Sequence, residues 1–169
     1  YNIIASFEAA RGLVRGMPGS ELSALMFGEY FPNPAIIGTG AAAFAQISHL
    51  QAMLAEALGT GLLACFVFAL TDRSNSTRPA SNLSGAFIGI SVAIIIAILA
   101  PLTQAGLNPA RDFGPRLVSY LFGWGEVAIP GPRGGFFTVY ILAPILGALA
   151  GSGVYQWAVR PYLVGLRLA

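Results

Sequence analysis

This sequence is poor in charge. Charged residues make up 9% of its 169 positions, lysine is absent, and nine arginines against seven acidic residues leave a net charge of +2. That balance is too small to draw a nucleic acid, and the arginines are scattered, which excludes a polybasic lipid-binding patch. A single cysteine excludes an internal disulfide; Cys65 sits in an apolar run and reads as a packing residue. With one histidine, His49, there is no Cys/His metal spacing and no Ser/His/Asp set, and no phosphate-binding glycine loop is present. The sequence therefore points to no enzyme chemistry, no cofactor and no metal. It opens on Tyr1 without a secretory leader pattern, which reads as a fragment.

What is abundant is apolar. Hydrophobic residues make up 56% of the chain and its mean hydropathy is +0.71, values of the membrane class. About 20 mostly apolar residues cross a hydrocarbon core, and three segments qualify: 46–70, interrupted only by Glu56; 83–102, with no charge; and 136–157, followed by Arg160-Pro161. Residues 1–45 carry Glu8, Arg11, Arg15, Glu21 and Glu29 among glycines and prolines, an extramembrane loop region with one short helix around 21–27. Gly85/Gly89 and Gly147/Gly151 are spaced for close helix packing. The aromatics Phe136, Phe137, Tyr155 and Trp157 bracket the third span as interfacial anchors, and His49 reads as a satisfied side chain near a membrane boundary.

Between the second and third spans the pattern breaks. Pro101, Gly106, Pro109, Gly114 and Pro115 allow no continuous helix through this stretch. Asn108 followed by Pro109 is an N-cap and first-turn pair, opening a helix over 109–121 that reaches roughly 20 Å, half a bilayer. Gly123-Trp124-Gly125 then turns the chain, with Trp124 suited to the interface. Irregular backbone at membrane depth survives only where protein buries it or water lines it, and an arginine there, Arg111, marks a functional site. The half-helix aims its amides and positive dipole end inward. Asn108 and Arg111 supply donors, and the carbonyls of Ala105, Gly106 and Leu107 supply acceptors. Such a set orients neutral polar molecules and repels cations, protons included. The competing reading is a broken helix whose Arg111 pairs with Glu56 or Asp112 merely to hold the bundle.

The string Gly106-Leu107-Asn108-Pro109-Ala110-Arg111-Asp112-Phe113-Gly114-Pro115-Arg116 closely resembles the second signature loop of the major intrinsic protein family, the aquaporins and aquaglyceroporins. Tyr1-Asn2, Phe7-Glu8 and Tyr30-Phe31-Pro32-Asn33-Pro34 resemble the third extramembrane loop of the glycerol facilitators. Glu56, Ala69-Leu70-Thr71-Asp72, Pro101-Leu102-Thr103, Gly123-Trp124-Gly125 and Ala143-Pro144-Ile145-Leu146-Gly147 follow in the family's order. The resemblance implies an all-α polytopic membrane protein, an aquaporin-like right-handed bundle. It covers the family's second repeat only, with 46–169 as a channel half of three spans and one re-entrant half-helix. Asn33-Pro34-Ala35 is not the other pore tip, because only two spans separate it from Asn108, and Glu29 before it disfavours burial. The first repeat is the implied partner, in a homotetramer, and the chain alone encloses no complete pore.

By the same resemblance, Asn108, Pro109 and Ala110 form the pore motif; Arg111, Ile96 and Ala105 the selectivity ring; Glu56 and Asp112 support the pore loop. Asp112 and Arg116 are similar to the glycerol branch, as is the absence of histidine at Ile96. Three positions depart from that branch, which carries glycine at Ile96, an aromatic at Ala105 and a proline at Tyr140. The implied activity is passive passage of glycerol-like polyols and water, with urea or metalloid acids open. The alternatives are a water-selective channel, a gradient-coupled transporter using Glu56, and a non-conducting membrane module. Arginines are nearly balanced across the membrane, with Arg73, Arg78, Arg160 and Arg167 on one side and Arg11, Arg15 and Arg133 on the other. The resemblance puts the tail in the cytoplasm of a plasma or inner membrane.

Overall fold

A computed structural model describes residues 2–163; Tyr1 and Arg167, on which two of the readings above draw, lie outside them. Among the described residues every regular element is a helix, with no strand. The first span, α4 (His49–Thr71), starts on a reciprocal cap: the Gln51 amide donates to Ser48 Oγ (3.2 Å) and the Ser48 amide to Gln51 Oε1 (2.8 Å). The second, α5 (Ser84–Thr103), contains Pro101 inside its last turn. The break comes instead at Gln104, whose φ of 63° ends the helix in the left-handed region. Pro115 likewise lies within α6 (Pro109–Ser119), the half-helix, which continues as a π-helical turn Tyr120–Trp124. A proline removes its own N–H bond and crowds the carbonyl four residues back, yet both helices continue through theirs. The third span runs Phe136–Leu163, with α7 (Ala143–Val154) flanked by π-helical turns Phe136–Leu142 and Tyr155–Val159.

The bundle is organised around α4, which packs against α7 and α5. Gly147 and Gly151 make the α7 contact possible: a Cβ on either would overlap the backbone of Ala57 or Gly61. Gly85 and Gly89 behave otherwise, since a Cβ there would meet nothing within 4 Å. That pair is not at a helix contact among the described residues. The outer faces of the three spans are apolar and open, with Leu58, Ile94, Ile98 and Leu149 exposed.

Residues 2–45 hold more structure than a loop with one helix. They form α1 (Asn2–Arg11), α2 (Glu21–Ala24) and α3 (Ala41–Phe44). Ala24 and Tyr30 share an apolar cluster with Trp124, Val127 and Ala128. Trp124 is therefore buried, not interfacial, and its indole N–H donates to Ser23 Oγ at 2.9 Å. Arg15 ties the same region together through Glu8 (2.9 Å) and its stacking on Trp124. Tyr155 also departs from the anchor reading: it is buried and its hydroxyl donates to Asp72 Oδ2 at 2.9 Å. Phe137 and Trp157 remain exposed, and His49 Nε2 meets Thr138 Oγ1 at 2.5 Å. Glu29 and Asn33 are buried, against expectation, because the polar groups of both find partners on α5 and α6.

Candidate functional site

The connection from α5 to α6 is five residues long, and three of them, Gln104, Ala105 and Leu107, are non-glycine residues at positive φ. Each costs about 1–3 kcal/mol unless the surroundings compel it. Here α4 supplies the compulsion. Glu56 is fully buried, and its two carboxylate oxygens accept the amides of Gly106 (2.9 Å) and Leu107 (2.7 Å). One turn on, the Thr60 hydroxyl contacts the Leu107 carbonyl at 3.3 Å. Tyr140 closes the loop from behind: its hydroxyl donates to the Thr103 carbonyl (3.2 Å), and its ring would stand 3.0 Å from a Cβ at Gly106, close enough that one of the two would have to shift. The Gln104 side chain accepts the Tyr30 amide at 2.8 Å, which joins the loop to the extramembrane region.

Beyond the loop, Asn108 caps α6, its Oδ1 accepting the amides of Ala110 (3.0 Å) and Arg111 (3.3 Å), with Pro109 opening the helix. The polar face of α6 points inward: Asp112, Arg116 and Ser119 are buried, whereas Phe113, Leu117 and Val118 are exposed. Arg116 grips Asp112 through two bonds (2.7 and 2.8 Å) and donates to the Ala128 and Glu29 carbonyls. Asp112 also accepts the Glu29 amide at 2.7 Å.

The expected site residues divide. Asn108, Ala110, Arg111 and Ile96 keep exposed surface, whereas Ala105 is 2% exposed, packed with Ala55, Ile95, Leu99 and Leu107. Of the three carbonyls, that of Gly106 takes the Asn108 amide (2.6 Å) and that of Leu107 takes Thr60, each keeping its second lone pair. Arg111 pairs with neither Glu56 nor Asp112; it donates to Glu29 Oε1. Sequence reasoning did not single out Thr60, Arg116, Gln104 or Glu29 for these contacts. The first two carried a signal, the i,i+4 spacing of polar residues (Glu56/Thr60 and Asp112/Arg116) on one helix face; Glu29 and Gln104 meet their partners only in three dimensions.

Residues 4–155 match the Major intrinsic protein family. The chain belongs to that family. Three helices long and apolar enough to cross a bilayer make this family member an integral membrane protein. It is 39% identical over 163 residues to the glycerol uptake facilitator protein of Pseudomonas aeruginosa, covering 96% of this chain and 54% of that one. It is 40% identical over 168 residues to a propanediol uptake facilitator of Citrobacter freundii, covering 99% of this chain and 56% of the relative. The X-ray structure of the aquaglyceroporin from Plasmodium falciparum shares the fold at a TM-score of 0.70 and 19% identity, over 89% of this chain and 55% of that one. The chain thus spans about half the length of the relatives it matches, and the half-aquaporin architecture of three spans and a half-helix is that of its family.

Proposed function

We propose that this chain contributes the second repeat of a passive, non-enzymatic channel for small uncharged polar solutes, glycerol-like polyols first, together with water. The observation that carries the reading is the half-helix tip: Asn108, Ala110 and Arg111 open on a face of an otherwise apolar bundle, behind a loop held in strained backbone by Glu56. The tip orients a passing solute by donation and interrupts a proton wire. Arg111 and Ile96 line the narrow ring, Arg111 facing hydroxyls and Ile96 facing carbons, while Ala105 stands behind them as a small residue that leaves the ring wide. The carbonyls of Ala105, Gly106 and Leu107 provide the acceptor ladder, and Asp112 supports the half-helix. The relatives named as glycerol and propanediol uptake facilitators support a polyol. Gradient coupling through Glu56 is disfavoured, because both carboxylate oxygens already hold backbone amides. The pore is completed by a first repeat, in a homotetramer with its carboxyl terminus in the cytoplasm.

Stopped-flow swelling of vesicles holding the natural protein, with glycerol, urea and water compared, tests the reading. Glycerol flux that is non-saturating and indifferent to proton and sodium gradients is expected; flux that follows either gradient overturns it. Arg111→Ala should admit a proton or cation leak, and Ile96→His should shift permeability from glycerol toward water.

A further inference from the structure

We propose that the segment carrying α2 and α3 forms, with the turn after α6, a binding site for a hard divalent cation of the calcium kind, held by the carboxylates of Glu21 and Glu126. The site is separate from the half-helix tip and does not rest on the channel reading. Its place is an open cavity of about 760 Å³, walled by residues 16–21, 39–44 and 126–132. The charged residues of that wall are both acidic, the buried Glu21 and the exposed Glu126. Thr39 adds a hydroxyl, and four of the lining residues are glycines, which leave backbone oxygens unscreened by side chains.

Glu21 carries the inference. It is 4% exposed, and its Oε2 is buried without a hydrogen-bond partner among the described residues. Glu21 also lines a second cavity of about 20 Å³ that shares this wall, where the buried Tyr30 hydroxyl likewise lacks a partner. Two arginines border the smaller cavity, and both are engaged elsewhere. Arg116 holds Asp112 and the carbonyls of Ala128 and Glu29, while Arg133 donates to the Ile47 carbonyl (2.6 Å) and lies over the Phe31 ring. Glu21 forms no ion pair among the described residues. The charge is felt nearby: burial raises the Tyr30 phenol above its ordinary value against the pull of Arg116, and Asp112 and Glu21 raise it further. About 20 Å³ is room for one water. Such a water answers the hydrogen bonds of Glu21 and Tyr30 but not the charge, and an enclosed carboxylate needs a cation.

The ligand set favours calcium over magnesium. Calcium accepts roughly 6–8 oxygens from carboxylates, carbonyls and waters in flexible geometry, whereas magnesium demands a near-ideal octahedron. Oxygens drawn from three separate stretches suit the former. With two carboxylates and water completing the shell, the dissociation constant falls at about 10⁻⁴–10⁻³ M, the range of extracellular calcium modules.

The test uses the natural protein in detergent, freed of metal by a chelator and titrated with Ca²⁺, Mg²⁺ and luminescent Tb³⁺. Trp124, two positions before Glu126, serves as the excitation antenna. Ca²⁺ should raise the melting temperature of wild type by roughly 2–4 °C at ten times its dissociation constant, and should displace Tb³⁺ at concentrations where Mg²⁺ does not. Glu21→Gln and Glu126→Gln should each weaken Tb³⁺ binding by more than about tenfold, the least that loss of a mere supporting partner costs. Tyr30→Phe leaves both carboxylates in place and should bind as wild type does. In chelator Glu21→Gln should melt no lower than wild type, because it removes a charge that has no partner. A wild type whose melting ignores Ca²⁺, or folded Glu21→Gln that binds Tb³⁺ as wild type does, overturns the proposal. So does a Glu21→Gln that melts lower by the same amount with and without Ca²⁺, the mark of a purely structural carboxylate.

Discussion

Glu56 shows why one residue type is required at one position. Two adjacent amides, on Gly106 and Leu107, must both be accepted, and a carboxylate offers an oxygen to each. Glutamine offers one oxygen and sets its own NH₂ against the remaining amide. Glu56→Gln should therefore lower stability by about 1–3 kcal/mol, the cost of a buried donor left unpaired. Thr60→Val should cost less, because Thr60 also bonds the Glu56 carbonyl in its own helix (2.8 Å) and its contact with Leu107 is the longer one. Thermal unfolding of the two variants in detergent checks the order; a larger loss in Thr60→Val would refute it.

At the scale of elements, α6 is built inside out. Its buried face is the ion pair Asp112–Arg116, and its open face is apolar. Arg116→Met strands a buried carboxylate and should destabilise the fold by about 3–5 kcal/mol. Asp112→Leu added to it should recover part of that loss, though the Glu29 amide then lacks its acceptor; melting temperatures of the single and double variants decide. The α4–α7 contact depends on missing side chains. Gly151→Val should cost about 1–3 kcal/mol or prevent folding, since a Cβ there overlaps the Gly61 backbone.

The far end of the same helices is clasped by Asp72, which accepts from the Ser74 amide (2.8 Å), Tyr155 (2.9 Å) and Arg160 (3.2 Å). The Ser74 amide is the main cause that holds its carboxyl below the ordinary value of 3.8, aided by Tyr155 and Arg160 against the effect of burial. A depressed carboxylate stabilises above its unfolded value, and that stability is lost as pH falls through the folded one. The difference in melting temperature between wild type and Asp72→Asn should accordingly stay constant above pH 3.8 and shrink below it.

For the whole molecule, what matters is the environment it needs. In the most apolar stretch of each span only 22%, 11% and 33% of residues are buried. Lipid covers such faces at no cost, but the exposed donors of Asn108 and Arg111 need water or a partner repeat. The 169 residues by themselves, placed in vesicles, should swell no faster in glycerol than empty vesicles do. Glycerol-selective flux should appear when a first-repeat chain of the family is supplied; selective flux from the 169 residues alone would reject the half-pore reading.

Local chemistry carried a good deal of this. Hydropathy marked three spans, and Asn108-Pro109 announced the start of α6, because capping and apolar length are properties of neighbouring residues. The signature string sufficed to name the family. Partnerships across the chain were not legible in the same way. Trp124 and Tyr155 carry the composition of interfacial anchors, yet they are buried because Ser23 and Asp72 reach them from distant segments. Arg111 could have met any of several carboxylates, and only the folded path of residues 28–34 over α6 decided for Glu29. Spacing along a helix is set by 3.6 residues per turn, whereas the meeting of two charges 82 positions apart is set by everything folded between them.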